Sequence, residues 1–159
     1  MTRRKTPSLR PGESISELDR DEFGAGRPLT RKQVVEMLRR HESLAEADLR
    51  GADLSGVCFD GARLVNAKFA DANLSKATFR NATLVGASFF GANLKDAVLD
   101  GADLEESDFD YAYLDGVTLK GAKTRKAIFP RKRISPDTIR EAVRSGSRLE
   151  MEPMAIDDD

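Results

Sequence analysis

One imidazole and one thiol, those of His41 and Cys58, are all the side chains of their kind in this 159-residue chain. Cysteine nucleophiles need a base or a strong positive field to form the thiolate. The repetitive stretch around Cys58 holds no histidine, so a plain surface thiol is the simpler reading. His41 falls at the end of an expected helix, where an imidazole reads as a solvated cap residue. The remaining candidates are the 27 Asp and Glu residues. Paired carboxylates can hydrolyse glycosides, and clustered ones can bind calcium. Here, however, Asp recurs because the repeat favours Asp or Asn directly before Leu at multiples of five residues, as in Ala52-Asp53-Leu54, Ala92-Asn93-Leu94 and Ala102-Asp103-Leu104. Glycines recur in the same rhythm and form no phosphate loop leading into a helix. The inventory argues against an enzyme, and no cofactor or metal ion is expected.

The rhythm itself must therefore be explained. Every fifth residue from Leu49 to Leu119 is Leu or Phe, fifteen positions with ten Leu and five Phe. Two residues before each stands a small residue, Ala in twelve cases and Val57, Ser107 or Val117 in the others. A period of five matches neither a helix nor a strand. It calls for stacked repeats, each burying its apolar residues against its neighbours.

The flanks read differently. Residues 1–28 mix Arg, Glu, Asp, Pro and Gly and are expected to be mostly disordered. Segment 29–43 holds a short helix over 31–41, with Thr30 as N-cap and Gln33 completing a capping box. Its apolar residues Val34, Val35, Met37 and Leu38 need a surface to cover, and the first rung of a solenoid would supply it. Repeats fill 44–130. A second helix over 135–145 is expected within segment 131–147, with Ser135 as cap, Pro136 at its first position and Gly146 as terminator. Residues 148–159, ending in three Asp, are expected to form a disordered tail.

Units such as Ala52-Asp53-Leu54-Ser55-Gly56 and Ala92-Asn93-Leu94-Lys95-Asp96 resemble the pentapeptide-repeat family. The resemblance covers about half of the chain. It implies an all-β solenoid, a right-handed quadrilateral β-helix of about four coils, with five residues per side and twenty per coil. Leu or Phe and the small residue would point inward.

Two features of the sequence test that twenty-residue coil. Residues n and n+20 should lie about 4.8 Å apart on stacked rungs. Nine such pairs between Ala47 and Lys126 have both members charged. They include Asp60/Arg80, Asp100/Lys120, Lys95/Asp115 and Glu105/Arg125, and all nine are opposite in sign. Random signs would do this roughly once in 500 trials. Secondly, Phe59, Phe69, Phe79, Phe89 and Phe109 fall on alternate sides of the square. This predicts ladders Phe69–Phe89–Phe109–Phe129 and Phe59–Phe79 on opposite walls.

The outward residues bear on function. Phe90, Asp108, Asp110 and Tyr111 share the wall built on Leu49, Phe69, Phe89 and Phe109, and Tyr113 lies just around the corner. Neither Asp108 nor Asp110 has a basic residue twenty positions away. Exposed aromatics beside unpaired acids point to a partner surface. The alternative is that the C-terminal part covers them, with Arg131 over Tyr111.

A non-catalytic scaffold or protein-interaction module follows, its partner another protein of unknown identity. The resemblance also implies an alternative, a DNA-mimicking protein that binds a topoisomerase such as gyrase and confers inhibitor resistance. The core 47–121 carries twelve acids and seven bases, 7 − 12 = −5. Four coils nevertheless span only about 20 Å, and most acids are paired. The whole-chain charge of −1 gives no argument for nucleic acid, and Arg131, Lys132 and Arg133 are too few to provide one. No apolar run approaches the ~18 residues of a membrane span, and no secretory signal is readable. A cytoplasmic protein is expected, either a monomer or a homodimer joined at the C-terminus.

Overall fold

A computed structural model describes residues 27–153. Between Asp48 and Ile128 the chain pairs with itself only through parallel bridges between residues twenty apart. The bridges form four columns. They start at Asp48↔Lys68 (wall A), Asp53↔Asn73 (wall B), Cys58↔Thr78 (wall C) and Arg63↔Thr83 (wall D). Each wall is one pentapeptide wide, so the strands are too short to register as more than bridges.

Backbone hydrogen bonding explains the five-residue unit. Around Leu74, the N–H groups of Asn73, Leu74 and Lys76 donate to carbonyls of adjacent coils at 2.7–2.9 Å. The Ala77 N–H closes a turn onto the Leu74 carbonyl at 3.0 Å. One N–H per unit is left over, that of the residue after Leu or Phe. Backbone donors must find a partner or face water. The residue before Leu supplies one: Asn73 Oδ1 accepts from Ser75 N at 3.1 Å, and Asp103 Oδ1 accepts from Glu105 N at 3.2 Å. Asp53 and Asn93 do the same. Asp and Asn recur before Leu because they satisfy this donor.

The corner residue, two after Leu or Phe, has positive φ at every unit from Glu46 to Lys126. Positive φ at the third residue of a turn is what type II turns require. Gly, Asn and Asp accept it most easily. Lys76, Glu106 and Tyr111 hold it despite their side chains, with φ of 58–59°.

Inside, the Leu and Phe columns are fully buried from Leu44 to Leu119, as is most of the Ala column, while Phe129 at the end is partly buried. The phenylalanines form the two expected ladders. Phe69–Phe89, Phe89–Phe109 and Phe109–Phe129 stack with centroids 4.9, 4.7 and 5.1 Å apart on wall A, and Phe59–Phe79 stack at 4.7 Å on wall C. Across the interior, Phe69 meets Phe59 and Phe79 edge-on at 5.9 Å. Both geometries suit the ring quadrupole. Ser107, the polar member of the small-residue column, is buried with its hydroxyl donating to the Leu104 carbonyl at 2.6 Å.

Helix α1, Arg31–Arg39, starts at Thr30 with the capping box expected from its sequence. Its Val34 and Met37 join the same buried cluster as Leu44 and Leu49. It ends two residues earlier than expected, because His41 turns to φ 55°. Helix α2, Pro136–Ser145, is capped by Ser135 Oγ accepting from Thr138 N, and it stops at Gly146 with φ 78°. Its Ile139 and Ala142 are buried.

The segment after α2 departs from expectation. A disordered tail was expected from residue 148, yet Leu149 N donates to the Val117 carbonyl and Gly116 N to the Leu149 carbonyl, both at 2.8 Å. Glu152 N donates to the Arg133 carbonyl at 2.9 Å. Leu149 is 1% exposed. Residues 147–152 thus continue the ladder below the last rung. Their signal was two apolar residues at strand spacing, Leu149 and Met151, in an otherwise polar stretch too short to read. Residues 1–26 and 154–159, also expected to be disordered, lie outside the described residues.

Candidate partner surface

The residues with chemical potential are dispersed. His41 is exposed at the end of α1 and Cys58 is exposed on wall C. Among the described residues, no group of three or more His, Cys, Asp or Glu side chains is placed to hold a metal ion.

Many acids instead serve the coil. On wall C the residue before Leu or Phe is not Asp or Asn, and the spare N–H finds another partner. Arg80 N donates to Asp60 Oδ1 at 2.9 Å and Lys120 N to Asp100 Oδ1 at 3.1 Å, each reaching back one coil. Partial burial raises the Asp60 pKa, but the Arg80 N–H, Thr78 and the Arg80 charge together hold it below the usual carboxylate range.

The nine charge pairs all lie on neighbouring rungs, but only three close to ion-pair distance. These are Arg125–Glu105 at 2.7 Å, Arg80–Asp60 at 3.5 Å and Lys126–Glu106 at 4.0 Å. Asp48 takes Arg50 on its own rung instead, at 2.7 Å. Asp96 takes Arg148 at 3.6 Å. Asp115 accepts from Met151 N at 2.8 Å and from the Tyr113 hydroxyl at 3.0 Å. The Met151 N–H leads in holding the Asp115 pKa down, and the Asp115 hydrogen bond leads in raising that of Tyr113.

Wall A differs from the others. Phe90 is 43% exposed and Tyr111 75%. Their rings lie 5.2 Å apart at 57°, joined across a corner. Asp108 and Asp110 flank them. Asp108 Oδ1 accepts from Asp110 N at 2.8 Å and Asp110 Oδ1 from Tyr111 N at 3.1 Å. Among the described residues, neither carboxylate has a cation within ion-pair distance. Ile128, one rung below Asp108, extends the patch at 47% exposure. It escaped the sequence reading because the repeat loses its regularity after Gly121, although it is the residue before Phe129.

Tyr113 is set apart. It stands on wall B, with Arg133 over its ring at 5.8 Å and its hydroxyl held by Asp115. The alternative to a partner surface was cover by the C-terminal part, with Arg131 over Tyr111; the cation found over an aromatic ring is Arg133, over Tyr113, while Tyr111 stays open. The exposed group on wall A thus comprises Phe90, Tyr111, Asp108, Asp110 and Ile128, with Tyr113 apart from it.

Comparison with known proteins bears on this architecture. The sequence profile named Pentapeptide repeats matches residues 42–65, 47–86 and 87–123, with 8 copies. Comparison with curated proteins finds no match. A pentapeptide repeat protein from the Arabidopsis thaliana thylakoid lumen is similar, with 42% identity and a TM-score of 0.50 over 50% of this chain and 55% of that one. HetL, a pentapeptide repeat protein involved in heterocyst differentiation regulation from Nostoc sp. strain PCC 7120, shares 32% identity at a TM-score of 0.50, covering 64% of this chain and 40% of its own. A further pentapeptide repeat protein from Nostoc PCC 7120 has a TM-score of 0.59 and 26% identity, covering 74% and 97%. This chain thus spans 55% and 40% of the first two. The profile lies within residues 42–123, 82 of 159, and the same residues form the four bridge columns, so the chain belongs to the pentapeptide-repeat family, whose members fold as right-handed quadrilateral β-helices.

Proposed function

We propose that this chain is a non-catalytic scaffold that binds another protein through wall A. The observation that carries the proposal is the exposed Phe90–Tyr111 ring pair beside Asp108 and Asp110, which have no ion-pair partner among the described residues. Aromatic anchors on a rigid surface lose little entropy on binding. We read the rod as about four coils over 44–130. It is closed by α1 in segment 29–43 and by α2 in segment 131–147, together with residues 148–152. This closure covers the last rung and disfavours joining two copies end to end. Among the described residues, no helix is long and apolar enough to cross a membrane.

The DNA-mimic alternative has weaker support, because Asp53, Asp60, Asp100 and Asp103 accept backbone N–H groups of the rod itself. A supercoiling assay in which the protein protects or inhibits gyrase would restore it. The direct test of the proposal is affinity capture with the full chain and with Phe90→Ala/Tyr111→Ala. Loss of a captured protein in the variant, at an unchanged melting temperature, supports a binding wall. Lowered stability with unchanged capture refutes it.

A further inference from the structure

Wall A carries opposite charges on either side of its exposed Phe90. Its bridge column runs Asp48, Lys68, Ser88, Asp108, Ile128 from rung one to rung five. Asp48 is neutralised on its own rung by Arg50. Lys68 reaches Asp48 only through its longer-range field and forms no ion pair within 4.0 Å among the described residues. This leaves a cation on rung two and acids on rung four. Rung three, between them, carries the small Ser88 and the exposed Phe90.

That pattern is self-complementary under a two-fold axis. Let the axis lie in the interface along rung three, parallel to the strands. The axis then reverses the rod direction and keeps the strand direction. Rung two of one copy meets rung four of the other, within the same column. Lys68 faces Asp108 of the second copy, twice by symmetry. Phe90 meets its own equivalent at the centre, with Tyr111 beside it, and Asp71 comes opposite Tyr111. Closed two-fold interfaces require such self-matching, and complementary charges around an aromatic centre fix their register. A parallel arrangement would set Asp108 against Asp108 and is disfavoured.

We infer that wall A joins two copies of this chain side by side and antiparallel, about the Phe90–Phe90 contact with Lys68–Asp108 pairs on either side. The inference rests on the proposal that wall A is a binding surface and names a second copy of this chain as one occupant of it. Five rungs make a wall only about 20 Å long, so the interface stands at the small end of stable ones.

Sedimentation equilibrium of the full chain up to about 1 mM tests it. A monomer–dimer equilibrium is expected. Phe90→Glu should abolish it, and Lys68→Asp and Asp108→Lys should each weaken it at least about tenfold. These side chains point outward, and melting curves verify that each variant is folded. The decisive arm mixes the two charge variants. One carries acids at both positions and the other carries bases, so the mixture should form a heterodimer about as tight as the original dimer. A monomeric chain throughout the range would overturn the inference, as would a dimer untouched by Phe90→Glu or charge variants that fail to complement on mixing. In each of those outcomes the capture experiment still decides separately whether wall A binds a different protein.

Discussion

The acids before Leu look like chemistry in the sequence and act as backbone partners in the fold. Asn73 and Asp103 satisfy the one N–H per unit that the ladder leaves out. Their recurrence was legible, but its cause needed the ladder to show which N–H was spare. The corners repeat the lesson. Gly, Asn and Asp look interchangeable there, since all tolerate positive φ. In the fold four of the glycines stack on an Asn or Asp corner of the coil before. A Cβ on Gly86 would lie 2.2 Å from Asn66 Oδ1, and Gly91, Gly101 and Gly116 sit likewise beneath Asp71, Asn81 and Asp96. Gly61 has the same φ, +67°, and no atom within 4 Å of such a Cβ. Gly61→Ala should therefore cost only the positive-φ strain, about 1 kcal/mol. Gly86→Ala should cost distinctly more, and adding Asn66→Gly should remove the excess. Thermal melts of the three variants and the double variant check this by a mutant cycle.

The elements were read with unequal success, for physical reasons. Helices α1 and α2 announced themselves through caps, since Thr30, Ser135 and Gly146 act locally. The phenylalanine ladders were legible because a ten-residue alternation means opposite walls once the coil length is known. Phe89 is stacked on both sides and fully buried, so Phe89→Ala should lose about 3–5 kcal/mol in denaturant melts. The extended segment at Leu149 is not legible in the sequence, because its hydrogen-bond partners lie on the Gly116–Val117 edge far back in the chain. Asp115 anchors that segment through Met151 N. The native Asp115 pKa is lowered, first by this N–H and then by Tyr113 and the charges of Arg133 and Lys95, against the opposing effect of burial. The stabilisation is therefore fully present above the ordinary carboxylate pKa of about 4. It fades as pH falls below that and through the lowered native value. Protection against hydrogen exchange at Met151 and Leu149, taken relative to the intrinsic rate at each pH, should fall over that acid range, and Asp115→Asn should already be less protected at pH 7.

At the scale of the molecule, the twenty-residue register decides which outward groups remain available. It aligned opposite charges on successive rungs, and the structure places them there. Long side chains then chose nearer partners in several cases, as Arg50 did for Asp48, which a register alone does not dictate. Exposed pairs of this kind contribute only about 0–1 kcal/mol each. Their larger effect is to leave wall C self-satisfied, through Asp60, Arg80, Asp100 and Lys120, and wall A open at Phe90, Tyr111, Asp108 and Asp110. Phe90 and Tyr111 were legible as exposed aromatics. Ile128 and the separation of Tyr113 emerged only with the coordinates.

The central claim is that binding belongs to wall A and not to the rod in general. It is tested most directly by measuring one dissociation constant, for the protein captured by the full chain, in variants of opposite walls. Phe90→Ala/Tyr111→Ala on wall A should weaken it by tenfold or more, roughly what losing two aromatic anchors does. Arg80→Gln on wall C should leave it unchanged. Equal effects from both walls, or a larger effect from wall C, would contradict the account.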